Sequence, residues 1–309
     1  MAGAEAIVQK NARYKLAKYG GHINITKYFA VSLLRRMGFV KRKGTKSVKQ
    51  LPTDFDEIKK KYVEKVSNVV TKFQIPDSLI INWDQTGCQL IPGGDWTMDQ
   101  RGAQQVSITG LDDKRQITLL LAITKSGSLL SPQLIYAGKS DRCLPKGVDF
   151  PSSWDITYTE SHWSNEETMV RFVENIIIPY VNGIRESLPL SKCNQEAVAI
   201  FDVYKAHQSP KLLELLKQNK IIPLFVPACC ADKLQPLDLA VNREYKEILK
   251  GHFHDWYTEK VCDDTESTIV DLCTSVVKPI HARWVISTHE AMEEKEVLIR
   301  NGFEKAGLV

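Results

Sequence analysis

The sequence lacks the long apolar segments and the compositional bias that mark membrane, secreted or fibrous proteins. No run of 18 uncharged apolar residues occurs in the 309-residue chain, so we expect no transmembrane helix and no membrane partner. Residues 1–20 contain no hydrophobic core of a signal peptide, and no collagen-like, coiled-coil or low-complexity pattern is present. With 43% hydrophobic residues, the chain can build one large core and a small additional module.

Cysteine pairs with metal-ligand or redox spacing are also missing. No C-x-x-C motif occurs, and the total of seven cysteines is odd. Scattered cysteines in an odd number are typical of reduced thiols in a cytosolic or nuclear protein, rather than of a disulfide framework.

Acidic residues are absent from one long stretch near the N-terminus. No Asp or Glu occurs between Glu5 and Asp54, whereas residues 6–53 contain twelve Lys and Arg residues. Residues 54–309 hold 29 basic and 36 acidic residues, a net charge of −7, although the whole chain carries +4. A basic segment joined to an acidic body indicates a polyanion partner for the segment; a solvated basic tail is the alternative.

The basic segment also carries helix signals. Residues 24–38 place apolar residues on one helical face, with Thr26 as a candidate N-cap and Gly38 as a candidate C′ residue. The basic run at residues 41–46 follows at once and predicts a flexible arm. We therefore interpret residues 1–52 as a small helical DNA-binding module. Its candidate DNA contacts are Arg35, Arg36, Lys41, Arg42, Lys43 and Lys46.

The rest of the chain predicts a linker helix followed by an α/β domain. Residues 53–73 repeat apolar residues at steps of three or four, and Pro76 ends this helix, which gives a linker over residues 53–77. Beyond it the pattern changes to short apolar runs. Strands are predicted at residues 78–84, 104–110, 115–124, 129–138, 196–202 and 220–227, and helices at residues 165–181, 209–219 and 235–257.

This order of elements predicts the fold class. Three antiparallel strands in a meander, followed by alternating helices and strands, predict a mixed sheet with helices on both faces over residues 78–260. Residues 139–164 are rich in Gly, Pro, Ser and Trp and predict an irregular insert. Residues 261–309 are interpreted as a C-terminal helical segment.

Two predicted strands end on a carboxylate, at Asp84 after "LIINW" and at Asp202 after "AVAIF". A third acid, Asp238, lies in the first turn of the predicted helix at residues 235–257. The interval between Asp202 and Asp238 is long enough for a helix, a strand and a helix start, which returns the chain to the same sheet edge. Taken singly, each acid is also a common turn starter or a favourable residue at a helix N-terminus.

Together, the three acids indicate a metal site. Carboxylates that meet at one edge repel one another and raise each other's pKa unless a cation joins them. Mg²⁺ (or Mn²⁺) takes such oxygen ligands, and two ions together activate water and stabilise the leaving oxygen of a phosphoryl displacement. We therefore predict a metal-dependent phosphodiester enzyme with two ions. Its catalytic and metal-binding residues are Asp84, Asp202 and Asp238.

The sequence resembles pogo/Tigger-type transposases, which are relatives of the mariner group. The jerky proteins and centromere protein B belong to the same wider family. The matching segments are "NWDQTG" (82–87), "KRQITLLLAITKSGSLLSPQLIYAGKS" (114–140), "FDVYKAHQS" (201–209), "FVPACCADKLQPLDLAVNREYK" (225–246) and "SLLRRMGFVKRKGT" (32–45). The last of these is similar to the end of a second helix-turn-helix unit. The DNA-binding region is therefore expected to be a partial helix-turn-helix remnant.

The resemblance implies an RNase H-like fold with an Asp-Asp-Asp triad at Asp84, Asp202 and Asp238. It implies metal-dependent cleavage and strand transfer at transposon ends, cut-and-paste, into a TA-type target. The implied partner is double-stranded DNA, with a homodimer in a synaptic complex and a nuclear location. The alternatives are a domesticated nuclear DNA-binding protein without catalysis, and a host nuclease of the same fold.

His207 lies five residues after Asp202. We expect its ring to orient a loop by hydrogen bonding; a direct role near the metal is the alternative.

Overall fold

The computed structural model describes residues 8–43, 52–92, 96–100, 114–190, 193–263 and 270–308, which form eight named strands and a set of helices. The strands are β1 (Phe39–Lys43), β2 (Ile80–Gln89), β3 (Trp96–Gln100), β4 (Gln116–Thr124), β5 (Gln133–Ala137), β6 (Asp155–Thr159), β7 (Ala197–Phe201) and β8 (Ile221–Phe225). None of the helices in these ranges is long and apolar enough to cross a membrane.

The helices carry the labels α1 to α8. They are α1 (Lys27–Arg36), α2 (Phe55–Phe73), α3 (Glu166–Phe172, continued by a π-helical turn at Val173–Ile177 and by Ile178–Ser187), α4 (Pro210–Gln218), α5 (Ala231–Leu234), α6 (Asn242–Asp263, preceded by a π-helical turn at Leu237–Val241), α7 (Thr274–Glu293) and α8 (Glu296–Ala306).

Contacts group the chain into two units. One comprises residues 1–47, 89–115 and 248–284, and the other comprises residues 48–88, 116–247 and 285–309. The predicted domain limits at residues 52, 77 and 260 stay a prediction.

The first unit contains the N-terminal helix and a two-stranded sheet. Thr26 caps α1 by accepting a hydrogen bond from the backbone N–H of Phe29 at 3.2 Å, and Gly38 follows the helix with φ +83°, as predicted. β1 pairs with β3 in antiparallel register. The prediction of a flexible arm was therefore wrong for residues 41–43, because their backbone is paired in a sheet.

The second unit contains a six-stranded sheet with the order β6-β5-β4-β2-β7-β8. β4 and β5 are antiparallel, whereas β2, β7 and β8 run parallel to one another. The inner strands are almost wholly apolar and buried, as expected when helices cover both faces of a sheet. This mixed sheet confirms the predicted α/β, RNase H-like fold class. The predicted strand at residues 104–110 lies outside the described residues.

Three predictions about this unit were wrong. Residues 139–164 contain β6, which pairs in parallel with β5; its "DITYT" sequence has the alternation of a strand despite the Gly- and Pro-rich surroundings. β2 does not end at Asp84 but continues to Gln89. The helix predicted at residues 165–181 continues to Ser187, because a π-helical turn widens α3 just before Pro179 and gives the proline ring room.

Candidate active site

Asp84 and Asp202 lie on neighbouring parallel strands. β2 and β7 pair with Asn82 opposite Ile200, so continuing this register places Asp84 opposite Asp202. Asp202 follows the last residue of β7 directly. The side chain of Asp202 is 36% exposed, and that of Asp84 is partly buried. The two carboxylates therefore lie side by side where β7 ends, although β2 continues past Asp84.

One buried amide connects the three segments that carry the acids. Asn82 is 0% exposed, and its Nδ2 donates to the backbone oxygen of Ile200 at 2.9 Å. Its Oδ1 accepts a hydrogen bond from the backbone N–H of Leu237 at 3.0 Å. Asn82 and Ile200 each lie two residues before an acid, and Leu237 lies one residue before Asp238. Asn82 thus fixes the spacing of all three backbones.

Asp238 lies in the π-helical turn that leads into α6, where a second amide bridges two of the acids. Nδ2 of Asn242 donates to Asp238 Oδ1 at 2.9 Å and to Asp84 Oδ2 at 3.1 Å. Asn242 is 6% exposed, and its Oδ1 is buried with no hydrogen-bond partner among the residues that the structure describes. The two carboxyl groups are therefore bridged by one uncharged group.

The electrostatics of Asp84 reflect this crowding. Burial raises its pKa well above the usual range, and the negative charges of Asp238 and Asp202 raise the pKa further. Hydrogen bonds from the Gln85 backbone and from Asn242 lower it only in part. The three acids are thus near enough to interact as charges, and the groups that offset their repulsion at Asp84 are not cations.

Asp202 has a different environment. Burial alone would raise its pKa, but the hydrogen bond and the electrostatic attraction of His207, together with the hydrogen bond from the Tyr204 backbone N–H, outweigh burial and lower the pKa. His207 Nδ1 lies 2.7 Å from Oδ1, and the Tyr204 N–H donates to the same oxygen at 3.2 Å. Within the described part of the chain, no donor is assigned to Oδ2, so one face of the carboxylate stays open.

The loop after Asp202 is anchored at several points. Tyr204 Oη donates to the backbone oxygen of Ser164 at 2.9 Å, and Ser209 Oγ donates to the carboxylate of Glu166. Ser209 also caps α4, with Pro210 as the first helical residue, as predicted. These contacts confirm that His207 belongs to a loop ordered by hydrogen bonds.

The donor set suits a hard cation, although the side chains do not yet surround one point. Mg²⁺ prefers oxygen ligands, and the three carboxylates provide them. In the described ranges, no three His, Cys, Asp or Glu side chains converge closely enough to enclose a single ion. The amide of Asn242 lies between Asp84 and Asp238, where it takes up oxygens that an ion would need.

The predicted DNA contacts belong to the other unit. Arg35 and Arg36 are exposed at the end of α1 and line a surface groove with Tyr28, Val31 and Ser32. Lys41, Arg42 and Lys43 belong to β1. Lys46 lies outside the described residues.

Sequence reasoning missed Asn82, Asn242 and the Trp83 partner of His207. A signal was present for each amide: Asn82 interrupts an otherwise apolar strand two residues before an acid, and Asn242 is one helical turn after Asp238. A buried polar side chain in such a position needs hydrogen-bond partners. The identity of those partners depends on which segments meet in the fold.

Comparison with known proteins identifies the family. The family model of the DDE superfamily endonucleases matches residues 114–302, which is more than half of the chain. The chain therefore belongs to the DDE superfamily endonuclease family.

Two curated relatives agree in part. The chain is 22% identical over 245 residues to the human "Pogo transposable element with ZNF domain". The aligned region covers 79% of this chain and 16% of the relative. The chain is 25% identical over 202 residues to "MFS-type transporter clz9" of Cochliobolus lunatus, covering 59% and 20%. The chain thus spans a fifth or less of these relatives. The family match and the pogo relative confirm the resemblance to pogo-type transposases.

Among solved structures, the chain is similar to the Mos1 strand transfer complex, with 10% identity, a TM-score of 0.47, and coverage of 99% of this chain and 74% of the other. The Mos1 transposase catalytic domain with Raltegravir and Mn gives 12% identity, a TM-score of 0.44, and coverage of 83% and 91%. The fold assignment rests on the strand order of the sheet itself.

Proposed function

We propose that this chain is the catalytic part of a DNA transposase that cleaves and joins phosphodiester bonds through Asp84, Asp202 and Asp238. The observation that carries the proposal is the geometry of the three acids: Asp84 lies opposite Asp202 on paired strands, and the amide of Asn242 bridges Asp84 and Asp238. Membership of the DDE superfamily endonucleases supports the reaction class. Cut-and-paste transposition into a TA-type target is the form of the reaction proposed here.

The ligands of the metal would be the three carboxylates, with two Mg²⁺ or Mn²⁺ ions as cofactors. Bound there, the ions would supply an activated water and neutralise charge on the leaving oxygen. The residues of the chain hold the ligands in place. His207 and the Tyr204 N–H fix Oδ1 of Asp202, and the paired strands below keep two carboxylates at a set spacing.

The proposed substrate is double-stranded DNA, at transposon ends and at the target. The twelve basic residues at 6–53 supply phosphate contacts, and binding through them should weaken steeply with salt. Arg35 and Arg36 of the proposed contact set are exposed at the end of α1, and Lys41, Arg42 and Lys43 belong to β1. A nuclear location and a homodimer in a synaptic complex belong to the same proposal.

Cleavage of end-labelled DNA by the full chain tests this function. We expect activity with Mg²⁺ or Mn²⁺, none with EDTA, and a loss of at least about a thousandfold for Asp202→Asn, since removing a charged ligand group removes the transition-state stabilisation it supports. Asp149→Asn makes the same change at an exposed acid and is the matched control. Equal cleavage by Asp202→Asn and by the unaltered chain would refute the triad.

The second candidate is a DNA-binding protein of nuclear function that has lost catalysis. The amide of Asn242 favours it, because a neutral group bridges Asp84 and Asp238. This candidate predicts salt-dependent DNA binding without any metal requirement, and no cleavage. Removing residues 1–53 should abolish that binding. A truncated chain that binds DNA as tightly as the full chain would contradict the role of the basic segment in both candidates.

A further inference from the structure

A chain of hydrogen bonds runs from the core to the Asp202 carboxylate through His207. Trp83 Nε1 donates to His207 Nε2 at 3.4 Å. On the other side of the ring, Nδ1 lies 2.7 Å from Asp202 Oδ1 and 3.1 Å from the backbone oxygen of Asp202. The imidazole is 0% exposed, so water does not compete for either nitrogen.

These partners assign the tautomer of the ring. An indole N–H only donates, so Nε2 must accept. The carbonyl oxygen and the ionised carboxylate at the other side only accept, so Nδ1 must carry the proton. Both sides lead to the same answer, a neutral ring protonated on Nδ1. A second proton on Nε2 would face the Trp83 N–H, donor against donor.

The indole that sets this tautomer is itself held firmly. Trp83 is 0% exposed and stacks on Phe201 with ring centroids 4.5 Å apart and planes 18° from parallel. Its edge meets Phe172 at 6.1 Å and 77°. Both contacts have the geometry that aromatic pairs favour, so the N–H direction is fixed by packing.

We propose that His207, fixed in the Nδ1–H tautomer by Trp83, is a positioning residue that orients the Asp202 carboxylate for a divalent cation. The Nδ1–H occupies Oδ1 and turns Oδ2 outward. This inference rests on the proposed function, since it assigns Asp202 as a metal ligand. Partners that orient a ligand typically change metal affinity or activity 10–100-fold when removed, and we expect an effect of about that size.

The tautomer is measured directly by long-range ¹H–¹⁵N correlation spectra of the metal-free full chain labelled in histidine. The expected result is a neutral His207 with its proton on Nδ1, identified by the signals that disappear in His207→Gln. Trp83→Phe keeps an aromatic ring but removes the indole N–H, so the Nε2 signal of His207 should shift while the proton, still held by the acceptors of Asp202, stays on Nδ1. A proton on Nε2, or a Trp83→Phe spectrum unchanged at His207, would overturn the assignment.

Two substitutions separate positioning from structural support. The amide nitrogen of Asn is as many bonds from Cβ as Nδ1 of histidine. The terminal amide group of Gln is as many bonds from Cβ as Nε2 of histidine. His207→Asn therefore keeps a donor for Asp202 but loses the acceptor for Trp83, and His207→Gln does the reverse. A purely structural role predicts that function follows stability. Positioning predicts that His207→Asn retains Mn²⁺ affinity even where urea unfolding shows it to be the less stable variant.

Binding of Mn²⁺ alone, measured by calorimetry, gives the decisive comparison alongside DNA cleavage. We expect His207→Asn to stay within about tenfold of the unaltered chain, and His207→Gln to bind 10–100-fold more weakly. Equal binding by His207→Gln would overturn the positioning role. Asp202→Asn separates the two proposals: if Asp202→Asn keeps full binding and cleavage, the proposed function fails. If Asp202→Asn loses both while His207→Gln loses neither, only the positioning role fails.

Discussion

Replacing Asn242 by Leu should lower the free energy of unfolding of the metal-free protein and increase its affinity for a divalent cation. The amide makes two hydrogen bonds to carboxylates, at 2.9 and 3.1 Å. Hydrogen bonds to charged groups contribute about 1.5–3 kcal/mol each. Their loss leaves Asp84 and Asp238 to repel each other in a partly buried site, so the free energy of unfolding should fall.

Part of this loss is offset. Oδ1 of Asn242 is buried and has no partner in the described part of the chain, which costs roughly 1–3 kcal/mol that Leu does not incur. The expected net destabilisation without metal is therefore about 2 kcal/mol. In the unaltered chain, a cation between Asp84 and Asp238 must first displace the amide. Without the amide, this cost no longer opposes cation binding. A gain of about 2 kcal/mol in the binding free energy corresponds to a roughly thirtyfold lower dissociation constant for the cation.

The assay is urea unfolding in EDTA and in a Mg²⁺ series, with calorimetry of Mn²⁺ as a second measurement. Asn219→Leu is the matched control, because Asn219 is a partly buried amide that bonds only the Leu215 backbone within the described contacts. The control should lose stability equally with and without metal. An Asn242→Leu variant that binds Mn²⁺ no more tightly than the unaltered chain would refute the idea that the amide competes with the ion.

Two further predictions concern stability. His289 is 1% exposed, and burial lowers its pKa from 6.5 to about 4. As the pH falls, the unfolded chain therefore binds a proton at this residue before the folded chain does. The free energy of unfolding should decrease as the pH drops from 6.5 toward 4. His289 should contribute a loss of about 2 kcal/mol to urea unfolding between ~pH 7 and ~pH 5, in addition to the loss from His281, whose pKa burial also lowers to about 4. His289→Leu should reduce the slope by that share, and an unchanged slope would rule His289 out as a source. A Cβ at Gly302 would stand 2.8 Å from the Pro236 carbonyl oxygen, so Gly302→Ala should cost about 1–3 kcal/mol. Gly183→Ala has open space and should instead gain about 0.5–1 kcal/mol; a neutral Gly302→Ala would show that α8 shifts freely.

The grouping of the acids could be foreseen from the sequence because it depends on simple order. Apolar runs that lead into Asp84 and Asp202 predicted two strands that carry an acid, and the parallel pairing of β2 with β7 places these strands side by side. The length of the interval to Asp238 predicted a return to the same edge. These inferences need only period, length and connection rules.

Other features were out of reach because they depend on tertiary contacts. The partners of Asn82 are 118 and 155 residues away in sequence, and nothing local selects them. The continuation of α3 past Pro179 depends on a π-helical turn that no residue preference signals. β6 is an edge strand of five residues, so its alternation was too short to outweigh the turn-forming residues around it.

The hydrogen bond from Leu237 to Asn82 joins two residues that are translated at different times. Its partners are separated by 155 residues, and ribosomes add roughly 5–20 residues per second. About 8–30 s therefore pass between the translation of Asn82 and that of Leu237. During that interval the strand that carries Asp84 exists without the turn that carries Asp238. A nascent chain on the ribosome thus cannot assemble all three carboxylates until most of its sheet has already been made.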